Sequence, residues 1–162
     1  MRAKAEAVTK KTSMAANRSQ TAGYGRFVRL PDTSAATALQ RAKSAFGQEA
    51  FGVVAEIDFR DTLDKKLDKD VGPYWTIEIA NPKLVDRALS ADRAAGLLLP
   101  CKVAVWQEGR DAVVAALRPE VVATIAGSEA LLEIAREAER HIERALVRLE
   151  GVNLAPSEDD QH

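Results

Sequence analysis

Hydrophobic and polar positions along this 162-residue chain change period several times, and each change marks an element. Gly25 to Leu30 reads as a short strand ended by Pro31. From Asp32 to Phe46, apolar residues recur at Ala35, Ala38, Leu39, Ala42, Ala45 and Phe46, a helical stripe that Asp32, Thr33 or Ser34 can cap. Phe51, Val53, Ala55, Ile57 and Phe59 then alternate with Gly52, Val54, Glu56, Asp58 and Arg60, which predicts a half-buried strand. A short charged helix is expected over Asp61 to Leu67. The alternation returns at Tyr74 to Ala80, with Trp75, Ile77 and Ile79 inward and Tyr74, Thr76 and Glu78 outward.

Asn81-Pro82 opens a helix to about Ser90, with Asn as cap and Pro at the first helical position. Leu99 to Gln107 reads as a strand with Cys101, Val103 and Val105 on one face and Lys102, Ala104 and Trp106 on the other. A turn over Gln107 to Arg110 leads to Asp111–Leu117, which is apolar on both faces and therefore expected centrally in the sheet. The last helix has the clearest stripe: Leu131, Ala135, Ala138, Ile142, Ala145 and Leu149, with Ser128 as cap and Gly151 just past its end.

The order β-α-β-(α)-β-α-β-β-α, with one apolar and one polar sheet face, predicts an α+β fold. It is a two-layer arrangement, a mostly antiparallel sheet of about five strands with helices packed on one face. The expected organisation is a disordered basic head over residues 1–24, a single domain over 25–150 and a disordered acidic tail over 151–162.

Charge supports those boundaries. Residues 1–29 hold seven Lys/Arg and one Glu, while residues 150–162 hold four acids and no base. The head lacks an apolar secretory core. Lys10, Lys11 and Arg18 could contact phosphates, but no aromatic is interleaved to stack on bases, so nucleic acid is disfavoured as a partner. No stretch approaches the roughly 20 apolar residues of a membrane span. One Cys excludes an internal disulfide and a Cys/His zinc ladder, and the expected location is cytoplasmic.

No dinucleotide, phosphate-loop or zinc-protease motif is present. His141 is mid-helix, four residues after Glu137, and reads as a surface partner of that carboxylate. Arg136, Arg140, Arg144 and Arg148 form a flank row, with Glu133, Glu137 and Glu143 available for pairing. Glu56 and Asp58 share a strand face roughly 6–7 Å apart, and Glu78 joins them if both strands hold, so cation binding or acid/base work is conceivable there. Solvated or paired carboxylates, with Lys102 and Arg60 as partners, are the simpler expectation. Cys101 shares its face with Val103 and Val105, which suggests a buried structural thiol; the alternative is a thiolate exposed at the strand end.

Three segments then carry a resemblance: Phe51 to Asp58; Pro73-Tyr74 leading to Ala80-Asn81-Pro82; and Gly96-Leu97-Leu98-Leu99-Pro100-Cys101. In order and spacing the chain resembles the family called domain of unknown function 302, over about Gly25 to Leu149. The resemblance implies a small α+β domain, commonly a homodimer, with no established activity. Positions matching the family pattern are Asp58, Lys66, Tyr74, Asn81, Pro82, Gly96, Pro100 and Cys101. The family often has Cys before Asn-Pro, where this chain has Ala80, so a two-thiol site is not available here. The expectation is a non-enzymatic, homodimeric binding or accessory domain, without cofactor or metal, whose small-molecule groove involves Asp58, Lys66, Tyr74, Asn81 and Cys101. The alternative is a single-thiol sulfur-transfer or redox-sensing protein using Cys101.

Overall fold

A computed structural model describes residues 23–151. The expected basic head, its candidate phosphate contacts and nearly all of the acidic tail lie outside the described residues. Five strands form one antiparallel sheet: β1 (Gly25–Leu30), β2 (Gly52–Asp58), β3 (Tyr74–Ala80), β4 (Cys101–Glu108) and β5 (Asp111–Leu117), in the order β1-β5-β4-β3-β2. The helices are α1 (Ala35–Gly47), α2 (Phe59–Leu67), α3 (Pro82–Ala91), α4 (Pro119–Ala126) and α5 (Glu129–Leu149), with a 3-10 segment at Arg93–Leu98. The α+β expectation holds.

β5 lies inside the sheet, as its two apolar faces require: Val113 and Val114 point to opposite faces and both are fully buried. Ser34 caps α1, Asn81 caps α3 and Ser128 caps α5, each side-chain oxygen accepting from backbone N–H groups of the first turn. The six stripe residues of α5 are all buried, as are those of α1. Ile142 and Ala145 of α5 and Ala38 and Ala42 of α1 share one core with Val28, Ile77, Val103 and Val114 of the sheet.

The expected inward face of β2 is overturned. An extra residue at Val54 interrupts the pairing with β3: Val53 opposes Ile79, but Glu56 opposes Ile77 and Asp58 opposes Trp75. Directly opposed residues share a face, so this bulge reverses the strand's remaining side chains. Ala55 and Ile57 turn to the face of Glu78 and Thr76, and Glu56 turns to the helix side, where it pairs with Lys43 of α1. The strand is an edge, with Val53, Val54 and Ile57 exposed. It stops at Asp58, so Phe59 opens α2 instead of extending the strand. The sequence pattern also misses α4, whose signals are Pro119 at the first helical position and Gly127 just beyond, at φ 65°.

Two buried carboxylates hold α5 in place. Glu49, in the turn after α1, is 5% exposed and accepts from Arg144 Nε at 3.0 Å and from Arg148 Nε and Nη2 at 3.2 and 3.1 Å, with His141 Nδ1 at 3.1 Å. Glu139, 4% exposed on α5, accepts from Arg26 of β1 at 3.1 and 2.9 Å, from Arg118 at 2.7 Å and from the Glu120 backbone N–H at 3.2 Å. Burial pushes both carboxyls up, but the hydrogen bonds together outweigh it and hold each below its ordinary value.

The pairings expected within α5 are therefore corrected. His141 meets Glu49, while Glu137 pairs with Arg87 and Glu143 with Arg26. Arg144 and Arg148 of the row meet Glu49, and Arg136 meets Glu120 of α4 as well as Glu129 of its own helix.

Because both carboxylates titrate below 4.5 when folded, their stabilisation is complete above that pH and is lost as pH falls through the lowered values. Glu49→Gln and Glu139→Gln should each cost about 2–3 kcal/mol at neutral pH, less than a fully buried pair because the arginines stay partly hydrated. Urea unfolding at about pH 7 and about pH 3.5 checks this: the wild type should lose more stability between the two than the double variant, and equal losses would contradict the assignment.

Candidate functional site

β3 and β4 run antiparallel, with Ile79 opposite Cys101 and Tyr74 opposite Trp106. The family-matching residues therefore fall at two ends of the sheet. Asn81 follows the last residue of β3 and Cys101 begins β4, so these two lie together. Tyr74 is six residues from Ala80 along β3, about 20 Å away, and on the opposite face from Cys101. The structure does not bring Tyr74 into one groove with Asn81 and Cys101.

At the Asn81 end lies a cavity of about 70 Å³ beneath α3, the 3-10 segment, α4 and α5. Leu84 and Ala88 of α3, Leu98 of the 3-10 segment, Val122 of α4 and Leu131 of α5 contribute to its wall. It borders a small second core in which Ala88, Ala95 and Leu131 pack with Leu98, Leu99 and Ile134. Every lining residue is apolar except Asn81 and Cys101. Asn81 Oδ1 accepts from the Lys83 and Leu84 backbone N–H groups at 3.1 and 3.4 Å. Burial among apolar groups pushes the Cys101 thiol up to about 11.

At the Tyr74 end is an aromatic row. Tyr74 stacks on Trp106 with centroids 5.7 Å apart and planes 11° apart; Phe59 meets Tyr74 edge-on at 5.9 Å, and Phe27 meets Trp106 edge-on at 6.3 Å. Trp106 Nε1 donates to Glu108 at 2.8 Å. This face also carries Thr76, buried, whose hydroxyl has no partner among the described residues. Asp58 sits nearby as the cap of α2, accepting from the Asp61 N–H at 3.0 Å, and Lys66 lies in the last turn of that helix.

The expected carboxylate cluster does not assemble. The bulge separates Glu56, on the helix side, from Glu78, which pairs with Lys102 across the other face at 3.4 Å, and Asp58 is engaged as a cap. Arg60 pairs with Asp70 at 3.0 Å. Among the described residues, no group of three or more His, Cys, Asp or Glu could hold a metal ion. No helix there is long and apolar enough to cross a membrane.

Sequence reasoning missed α4's share of the cavity and the buried Glu139. The second was detectable: Glu139 is four residues after Ala135 and three before Ile142, on the buried stripe itself.

A one-sided α+β domain with an apolar cavity at its strand ends is the class that fold and site define. The chain belongs to the family described as domain of unknown function DUF302, whose profile matches residues 27–149. The crystal structure of an uncharacterized conserved protein DUF302 from Bacillus stearothermophilus is similar. Its TM-score is 0.73 with 26% identity, covering 79% of this chain and 99% of that one. A search of curated proteins finds no match.

The thiol's raised value sets a test. The neutral thiol is favoured by folding, so its contribution is complete below pH 9.0 and is lost as pH rises towards about 11. Iodoacetamide should label native Cys101 at least tenfold more slowly than denatured chain at about pH 8, the thiolate being the reactive form. Equal rates would show that the thiol is not buried.

Proposed function

We propose that this chain is a non-enzymatic binding or accessory domain that holds a small apolar molecule in the cavity beside Asn81 and Cys101. The observation that carries this reading is the cavity itself. It is walled by four elements, almost wholly apolar, and closed from below by a well-packed core. Cavities lined in this way bind small apolar molecules. Leu97 and Ile125, 88% and 82% exposed, sit on the 3-10 segment and α4, the same two elements that help wall it, and present apolar surface next to it in sequence.

The same proposal has the protein act as a homodimer through the sheet face opposite α1 and α5. Phe27, Tyr74 and Trp106 lie on that face, Ile57 is exposed on its edge strand, and aromatic side chains of this kind are enriched at interfaces. A lone unpaired thiol suits a reducing, cytoplasmic setting. Single-thiol sulfur transfer or redox sensing is the second reading, favoured by the place of Cys101 on the cavity wall. It ranks behind because a thiol at about 11 is neutral and weakly nucleophilic at physiological pH.

Methyl NMR titration with cyclopentane tests the cavity: Leu84, Val122 and Leu131 resonances should shift saturably. Ala88→Leu, which fills the space, should abolish the shifts without lowering the unfolding midpoint; unsaturable shifts across the surface would overturn the reading. For the dimer, sedimentation equilibrium of Ile57→Arg should give monomer at concentrations where the wild type is dimeric. A monomeric wild type would remove that part.

A further inference from the structure

We infer that α2 is the clasp of the dimer, packing against α2 of a second copy, antiparallel about the two-fold axis. This rests on the reading that a second copy covers the open sheet face, and it sets the axis at the β2 margin of that face.

Isolated helices shorter than roughly 12–15 residues are marginal in water and need a face buried against something else. α2 has nine residues and buries none of them. Asp58 caps it, Lys65 pairs with Asp61 one turn away and Phe59 meets Tyr74 edge-on, which leaves most of its surface bare. Leu67, its last residue, is 67% exposed, and Val71 just beyond is exposed as well. With Val53, Val54 and Ile57 of β2, five of the eight exposed large apolar side chains among the described residues fall between 53 and 71. That concentration marks the margin as a contact surface. Strand addition suits it poorly, because the bulge at Val54 interrupts the regular edge of β2. Side-chain packing by the helix remains.

Charge selects a second copy as the occupant. The first turn of α2 carries Asp61 and the last carries Lys65 and Lys66. In an antiparallel pair about a two-fold axis, the start of one helix lies beside the end of the other, so Asp61 meets the partner's Lys65 and the partner's Lys66. Asp64 and Lys66 form no ion pair among the described residues. The Lys65–Asp61 pair is exposed and free to exchange partners. A partner of one sign would satisfy one end of the helix and be repelled by the other.

Two variants of the full chain test this. Lys65→Glu with Lys66→Glu makes α2 predominantly acidic, and Asp61→Lys with Asp64→Lys makes it wholly basic. In sedimentation equilibrium each variant alone should raise the dimer dissociation constant at least about tenfold, and an equimolar mixture should return it to within about threefold of wild type. Circular dichroism melts check that both variants stay folded. Leu67→Glu is the companion: it removes no buried contact of its own chain, and it should weaken the dimer by a similar factor.

A dimeric wild type whose folded charge variants dimerise as tightly as it does overturns the clasp and leaves the sheet-face dimer standing. Variants that dissociate alone and stay apart when mixed overturn the pairing of α2 with α2. If a charge variant loses its fold, Leu67→Glu decides, and unchanged dimerisation there overturns the clasp. A monomeric wild type removes the dimer reading and this inference together.

Discussion

Everything in this fold depends on α5 lying flat across one face of the sheet. Its stripe buries small and medium side chains, Ala135, Ala138, Ile142 and Ala145, so the helix can approach the strands closely. Apolar packing alone would allow such a smooth surface to slide. Glu49 and Glu139 remove that freedom, one gripping the last two turns of the helix from the α1–β2 turn, the other tying its middle to β1 and to the start of α4. Buried ion pairs add little net stability over apolar contacts, but their directionality specifies one register.

That placement creates the cavity. With α5 fixed, its first half overhangs the Asn81–Cys101 end of the sheet, where the strands have ended and α3, α4 and the 3-10 segment must close the gap. Small residues on the facing surfaces, Ala88, Ala95 and Ala123, do not fill it. The same side chains that permit close helix approach over the sheet leave space beyond its edge. The cavity therefore follows from the position of a helix that ends of strands cannot support.

The two faces of the sheet divide the family-matching residues into different kinds of surface. Asn81 and Cys101 belong to an apolar cavity. Tyr74, Asp58 and Lys66 belong to the region where α2 leaves the sheet edge and the aromatic row begins. The proposed ligand and the proposed second copy would therefore occupy different surfaces of the domain.

Most elements were legible in the sequence because their signals are local. Alternation at Tyr74–Ala80, the cap and proline at Asn81-Pro82, and the stripe from Leu131 to Leu149 each need only a few neighbouring residues to be read. The double-sided apolar run Asp111–Leu117 even placed its strand inside the sheet. Tertiary structure alone decided three things. The bulge at Val54 reversed β2, because register depends on the partner strand and a single extra residue moves every later side chain to the other face. His141, Arg144 and Arg148 found Glu49 instead of their helical neighbours, because a carboxylate ninety residues distant competes only once the chain has folded. The cavity exists only where four helical segments meet the ends of the strands, and no local pattern in the chain encodes the space between them.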